Sequence, residues 1–245
     1  MIGFSTRKWL VTGGSSGIGY ALAKYAAHRG DKVIICGRGD AGLAKAQGEL
    51  PNVIAYRCDL ADSESRRALI DWVLSVHPDL GILVNNAGIQ LELDFGRGVS
   101  ANQIDAEIAT NLAAPVHLTA ALLPAFQAQA DAAIINVTSG LAYAPKANVP
   151  LYCATKAALH SFSLSLRRQL RESNVRVIEV APPIVKSGLG DGSRVGRRGG
   201  QPILTPDQFV AEAMTQIAEG RNEVLMGLSD YTRRGGESLF DRMNP

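Results

Sequence analysis

Residues 8–19, Lys8-Trp9-Leu10-Val11-Thr12-Gly13-Gly14-Ser15-Ser16-Gly17-Ile18-Gly19, run from a short apolar stretch straight into a cluster of glycine and serine. A helix opens at once, since Ile18, Leu22, Tyr25 and Ala26 recur on one face at helical spacing. Glycines in such a turn let the backbone approach a pyrophosphate, whose charge is met by the free N–H groups at the helix N-terminus. The glycine spacing is G-x-x-x-G-x-G, not the generic G-x-G-x-x-G, so the placement between first strand and first helix carries the reading. A Gly/Ser cluster elsewhere is often only a turn. Here the candidates to hold a dinucleotide are Gly13, Ser15, Ser16, Gly17, Ile18 and Gly19.

Working outward, short apolar runs recur at 8–12, 32–37, 53–57, 82–85, 133–139, 176–181 and 223–226, with amphipathic stretches between them. Leu159, Phe162, Leu166 and Leu170 share one face of the longest such stretch. Strands alternating with helices predict a parallel sheet covered on both sides, and the near-continuous apolar character of the strands agrees. The expected fold is α/β, a three-layer doubly wound Rossmann arrangement with a mostly parallel seven-stranded sheet. No linker-like change of composition divides the chain, so residues 1–245 are read as one NAD(P)-binding domain. Residues 186–204 are rich in glycine and arginine and lack periodicity, which predicts a mobile substrate loop ahead of a helix capped by Thr205 with Pro206 at its first position. Its arginines suit either an acidic substrate or a solvated face. The tail from Gly227 onward shows little periodicity and receives no assignment.

Hydrophobic residues make up 46% of the 245, enough for a sizeable core, and the formal net charge of +2 leaves no footprint for nucleic acid. Three scattered cysteines, Cys36, Cys58 and Cys153, show neither a disulfide framework nor metal-ligand spacing. Residues 1–8 contain no apolar run of a signal peptide, and no apolar stretch reaches the ~18 residues of a membrane span. These features predict a cytoplasmic protein without metal, membrane or nucleic-acid partner.

At the end of the second strand, Ile35-Cys36-Gly37-Arg38 carries no acidic residue to hold a ribose 2′-hydroxyl. Gly37 leaves space and Arg38 offers a planar fork suited to a phosphate, which favours NADP(H), with NAD(H) as the other possibility. The competing reading makes Arg38 a surface residue of a tight turn, with Asp40 close by in sequence.

Taken in order, these motifs resemble the short-chain dehydrogenase/reductase family in its compact branch, and the resemblance covers almost the whole chain. Thr12 to Gly19 is similar to that family's TGxxxGIG turn, Asp59-Leu60 to its adenine-binding pair, and Asn85-Asn86-Ala87-Gly88 to its NNAG strand end. Asn111 resembles the Asn of its following helix, and Ser139, Tyr152 and Lys156 its catalytic set. The resemblance implies that Tyr152 exchanges a proton with the substrate oxygen and that Lys156 binds the nicotinamide ribose. It further implies that Ser139 holds the substrate oxygen and Asn111 orders a water leading to Lys156. Cofactor contacts are implied at Asn86, Ala87, Gly88, Tyr152, Lys156, Pro182, Ile184 and Ser187. One departure stands out, Pro183 where the family has glycine, and it moves any backbone donor to Ile184 or beyond. Strings 85–90 and 180–187 are similar to a bacterial subgroup named for teichoic-acid D-alanylation operons.

Tyr-x-x-x-Lys alone is a weak signal, because Tyr20 and Lys24 repeat it. Only Tyr152 has a serine 13 residues earlier. Residues four apart on a helix share a face, so a lysine cation can favour the phenolate of a tyrosine whose isolated pKa is ~10. The expected activity is interconversion of a carbonyl and a secondary alcohol on a small molecule. A 3-oxoacyl-thioester reductase is the specific alternative, and a non-catalytic NADP(H)-sensing regulator the alternative of a different class. The resemblance implies a homodimer or homotetramer. The pocket lining is expected from 89–100, 142–149 and 186–204, which carry no code for a substrate.

Overall fold

The computed structural model describes residues 7–186, 188–189, 197–198 and 201–244. Seven strands, β1 (Lys8–Thr12), β2 (Lys32–Gly37), β3 (Val53–Arg57), β4 (Leu80–Asn85), β5 (Ala132–Val137), β6 (Val175–Ala181) and β7 (Glu223–Leu225), form one sheet. Their order is β3-β2-β1-β4-β5-β6-β7 and every pairing is parallel. The helices are α1 (Gly17–His28), α2 (Asp40–Glu49), α3 (Ser63–Val76), α4 (Ala101–Gln127), α5 (Pro150–Gln169), α6 (Pro206–Ala218) and α7 (Leu228–Gly235).

Alternation along the strands builds two cores, one on each face. Val11, Ile35, Val84 and Ile178 point to one side and pack with Leu22 of α1 and with Phe209 and Ile217 of α6. Leu10, Ile34, Leu83 and Val177 point to the other, against Leu69 of α3, Leu118, Leu122 and Phe126 of α4, and Leu166 of α5. Apolar residues at nearly every strand position are what such a doubly covered sheet requires. The predicted doubly wound architecture is therefore observed, with all of the main sheet parallel.

Differences from the predicted boundaries have local causes. Strand β4 begins at Leu80, two residues before the predicted 82. Strand β5 stops at Val137 rather than 139, because Ser139 turns the chain and its Oγ accepts the Leu141 N–H at 3.1 Å. Helix α4 carries a π-helical segment at Ala109–Ala113. Pro115, which follows, has no N–H to return to the carbonyl four residues back, that of Asn111. The same helix corrects the expectation about membrane spans, since by length and composition Ala101–Gln127 is long and apolar enough to cross one. Isolated polar residues such as Asp105 and Asn111 conceal that in a search for unbroken apolar runs. In the structure its apolar face packs on the sheet through Leu118, Leu122 and Phe126.

Thr205 caps α6 as expected, accepting the Gln208 N–H at 3.2 Å while Gln208 Oε1 accepts the Thr205 N–H at 3.0 Å. The base of the predicted loop is closed by the Lys186 N–H donating to the Leu204 carbonyl at 2.9 Å. Most of that loop, including Ser187, lies outside the described residues. The tail that the sequence left unassigned forms α7 and a short C-terminal turn.

Sheet order reverses between β1 and β4, and in open α/β sheets the crevice for a ligand forms beyond the strand ends at that point. A single buried hydroxyl shapes it. Thr12 Oγ1 donates to the Val84 carbonyl at 3.1 Å and accepts the N–H groups of Asn86 at 2.9 Å and Ala87 at 3.0 Å. Thr12→Val keeps the volume and leaves the Ala87 N–H unmet, worth about 1–3 kcal/mol if it stays dry, while the Asn86 N–H keeps the Val84 carbonyl at 3.1 Å. Urea unfolding should therefore show a loss of about 1–3 kcal/mol. A loss too small to measure would mean that the two strand ends do not depend on Thr12.

Candidate active site

The glycine turn is shaped by close approach. Gly13 and Gly17 have φ of +65° and +54°, a region glycine enters without strain. A Cβ on Gly14 would sit 2.5 Å from Ile35 Cγ2, and one on Gly19 would collide with the Gly13 carbonyl. Asn86 Nδ2 donates to the Thr12 carbonyl at 2.9 Å, so this residue holds the turn onto the end of β4. At the start of α1, the Ser16 N-cap makes no side-chain capping hydrogen bond. The first-turn N–H groups are thus not capped by that serine, as an anion site at a helix N-terminus requires.

Arg38 is exposed at the rim of the same cleft and makes no ion pair among the described residues. Asp40, its rival by sequence proximity, pairs with Arg57 at 3.4 Å instead. Asp59 caps its own turn, with Oδ1 accepting the Ala61 N–H at 3.0 Å, while Asp59 and the buried Leu60 both line the cleft. Gly88 fits tightly, since a Cβ there would lie 3.3 Å from Asn111 Oδ1 and 3.6 Å from Lys156 Nζ.

The cleft, about 660 Å³, runs without a break from Gly13 and Arg38 past Asn86, Ala87 and Gly88 to Ser139, Tyr152 and Lys156. Pro182, Pro183 and Ile184 form part of its wall. Tyr152 and Lys156 lie one turn apart on α5, both buried, with Lys156 Nζ 5.8 Å from the centre of the Tyr152 ring. Lys156 Nζ donates to the Val137 carbonyl at 2.8 Å, and burial pulls its pKa down to about 8. Ser139 Oγ spends one lone pair on the Leu141 N–H and keeps its own proton to donate.

Asn111 is wholly buried in the π segment. Its Oδ1 accepts the Ile89 N–H at 2.9 Å and its Nδ2 donates to the Ile89 carbonyl at 2.8 Å and to Thr155 Oγ1 at 3.2 Å. The carboxamide therefore fixes the segment after β4 against α5. Tyr20 and Lys24 stand apart from the cleft, paired with Glu49 at 2.8 Å and Asp207 at 2.9 Å.

Sequence reasoning missed the contribution of the tail. Leu228, Ser229, Thr232 and Met243 line the cleft alongside Gln90, Lys146 and Asn148. Asn244 accepts the Ala147 N–H at 2.7 Å and donates to the Pro145 carbonyl at 3.1 Å. Glycine was the available signal. A Cβ on Gly140 would meet Thr232 Oγ1 at 2.9 Å, so only glycine lets α7 approach this closely.

Among the described residues, His160, Glu179 and Glu223 could bring ligand atoms together for a metal. Arg233 already lies against that cluster, its Nε 2.9 Å from Glu223 Oε1, and supplies the positive charge.

A family model described as short chain dehydrogenase matches residues 7–196. The uncharacterized oxidoreductase DltE of Bacillus subtilis is 48% identical over 240 residues, covering 96% of this chain and 95% of that protein. The NADP-dependent 3-hydroxy acid dehydrogenase YdfG of Escherichia coli is 34% identical over 215 residues, 86% of this chain and 85% of that one. A short-chain dehydrogenase from Sphingobium yanoikuyae, solved in complex with NADPH, superposes with a TM-score of 0.77 at 29% identity, covering 89% and 87% of the two chains.

Burial of Lys156 has a measurable consequence. Its folded pKa of about 8 lies below the ordinary 10.5, so between these values the unfolded chain binds more protons and stability rises with pH. Below pH 8 the desolvation cost is fully present. Lys156→Met removes it, and without cofactor the variant should be more stable than wild type at pH 7 by roughly 2 kcal/mol. That gap should close as pH rises from about 8 to about 10.5, read by denaturant unfolding across the range. A variant less stable at every pH would show that the buried ammonium is not the costly group.

Proposed function

Since the chain belongs to the short-chain dehydrogenase/reductase family, we propose that it is an NADP(H)-dependent oxidoreductase interconverting a carbonyl compound and a secondary alcohol. The carrying observation is the unbroken cleft that leads from the glycine turn to Ser139, Tyr152 and Lys156. Gly13, Gly14 and Gly19 let the turn fold tightly onto Ala87, Ile35 and its own backbone, and the Ser16 N-cap leaves the start of α1 without a side-chain cap, which fits a pyrophosphate. Ser15, Ser16, Gly17 and Ile18 would hold that group, Asp59 and Leu60 the adenine, and Ala87, Gly88, Pro182 and Ile184 the nicotinamide half. When bound, the cofactor supplies or accepts the hydride.

In reduction, Tyr152 donates its hydroxyl proton to the substrate oxygen as negative charge gathers there; in oxidation it takes the proton back. The Lys156 ammonium favours the phenolate beside it. Ser139, its acceptor side occupied by the Leu141 N–H, donates to the same substrate oxygen. Asn111 fixes the Ile89 backbone next to Gly88 and so maintains the wall facing Lys156. The whole chain acts as one cofactor-binding unit in this reading. Three buried free thiols suit a reducing compartment, and exposed Ile108 on α4 and Leu164 on α5 suit a contact between identical subunits.

A screen of NADPH oxidation over ketones, aldehydes and acyl thioesters tests the class and separates a general carbonyl reductase from a thioester-specific one. On any substrate found, Tyr152→Phe should keep NADPH binding and lose roughly 10²–10⁴-fold in kcat. Tyr20→Phe should behave as wild type. Full turnover by Tyr152→Phe, or NADPH binding without turnover of any carbonyl, would overturn the assignment, the latter in favour of a sensor.

Cofactor choice is tested separately. Arg38 has no anionic partner of its own among the described residues, so a 2′-phosphate would supply one, and the NADPH-bound relative supports that choice. A charge-assisted hydrogen bond contributes about 1.5–3 kcal/mol, so Arg38→Ala should weaken NADPH roughly 10–100-fold and leave NADH unchanged. Equal affinity of the wild type for both would remove Arg38 from the site.

A further inference from the structure

Glu179 sits on β6 with its side chain completely buried, in a strand whose other residues, apart from Arg176, are valine, isoleucine and alanine. An apolar residue would occupy that position without the cost of desolvating a carboxylate. The carboxylate is instead surrounded by donors. Thr138 Oγ1 donates to Oε1 at 2.7 Å and the Tyr143 hydroxyl donates to the same oxygen at 3.1 Å. His160 Nδ1 lies 2.8 Å from Oε2 and 3.0 Å from Oε1.

Each partner lies next to a different part of the site. Thr138 immediately precedes Ser139, and Tyr143 follows the 3₁₀ turn Gly140–Ala142 that Ser139 caps, so one oxygen binds both ends of the Ser139 turn. His160 stands one turn after Lys156 on α5 and packs edge-on against Tyr143, ring centres 4.9 Å apart. Burial and the nearby carboxylate raise the Tyr143 pKa, keeping its hydroxyl a donor. Arg233 of α7 closes the group from outside, 5.2 Å above the Tyr143 ring.

We propose that Glu179 is a positioning residue, resting on the oxidoreductase reading above, which holds the Ser139 turn in register with the helix that bears Tyr152 and Lys156. It touches no reacting atom. Its effect comes through geometry, because a donor displaced by about 1 Å can cost on the order of 100-fold in rate.

Glu179→Gln should preserve the arrangement. Its Oε1 still accepts both hydroxyls, and Nε2 can donate to a neutral His160 Nδ1. Glu179→Met keeps the bulk and removes every acceptor, while Thr138→Val and Tyr143→Phe each cut one tie and serve if the methionine variant does not fold. Two readouts are needed. One is kcat per NADPH-binding site, on the best carbonyl compound from the screen. The other is amide hydrogen exchange of residues 140–143 compared with residues 13–19, which requires no substrate.

Glu179→Met is expected to lose 10- to 100-fold in kcat with NADPH affinity unchanged. Exchange should speed up at 140–143 and stay as in wild type at the glycine turn, and Glu179→Gln should restore both. Uniformly faster exchange with kcat per site intact would make Glu179 a stability residue only and overturn the proposal, as would a glutamine variant as impaired as the methionine one. NADPH binding by the wild type without turnover of any carbonyl would instead defeat the oxidoreductase reading, while the exchange pattern would still decide whether Glu179 holds the turn.

Discussion

Thr12 Oγ1 ties the C-terminal ends of β1 and β4, and the ligand crevice takes its shape from that tie. The two strands are neighbours in the sheet but far apart in sequence, and beyond them the chain leaves to opposite faces. Without the Thr12 hydroxyl, the N–H groups of Asn86 and Ala87 beyond β4 would keep only the Val84 carbonyl between them. Once Thr12 meets them, Asn86 can reach back to the Thr12 carbonyl, and the glycine turn is fixed against the Asn86–Gly88 segment. The floor of the cleft is thus a set of satisfied backbone groups, which leaves the helix N-terminus to meet the charge of a ligand.

The half of the cleft around Tyr152 and Lys156 inverts that economy. Among the described residues Lys156 is buried with one carbonyl partner and no carboxylate, and burial draws its pKa down to about 8. A surface ion pair would have been cheaper but would have neutralised the charge that the role proposed for Tyr152 requires. Here the sheet and α5 support the cost of a lysine whose field is directed at one phenol. Asn111 works by a different principle, using a π segment to bring its carboxamide onto the Ile89 backbone.

Polar groups inside the sheet also link layers that apolar packing alone would leave free to slide. Asn85 Nδ2 donates to Asn136 Oδ1 at 2.9 Å, and Asn136 Nδ2 donates to Ser163 Oγ at 2.9 Å, joining β4, β5 and α5 in one line. Glu179 does the same from β6. Hydrogen bonds specify direction and register where dispersion contacts do not, so these few residues set where α5 sits along its axis.

The sequence by itself determined the doubly wound parallel sheet, because apolar runs of strand length alternating with helical periodicity permit little else. It also determined the turn at Gly13–Gly19, since a glycine-rich break between strand and helix has few structural uses, and it separated Tyr152 from Tyr20 by the serine 13 residues earlier. Those signals are local, confined to one turn or to a fixed spacing. Tertiary structure alone decided that Asp40 turns to Arg57 and leaves Arg38 at the cleft, because two exposed side chains choose partners by distance in space. It alone brought α7 and Met243 onto the cleft wall and tied Asn244 to Pro145 and Ala147, about 100 residues away, with no periodicity to announce the contact. It alone gathered Thr138, Tyr143, His160 and Glu179 around one carboxylate. No pattern in the chain marks that cluster, because its members lie on separate elements and meet only when the sheet and α5 pack together.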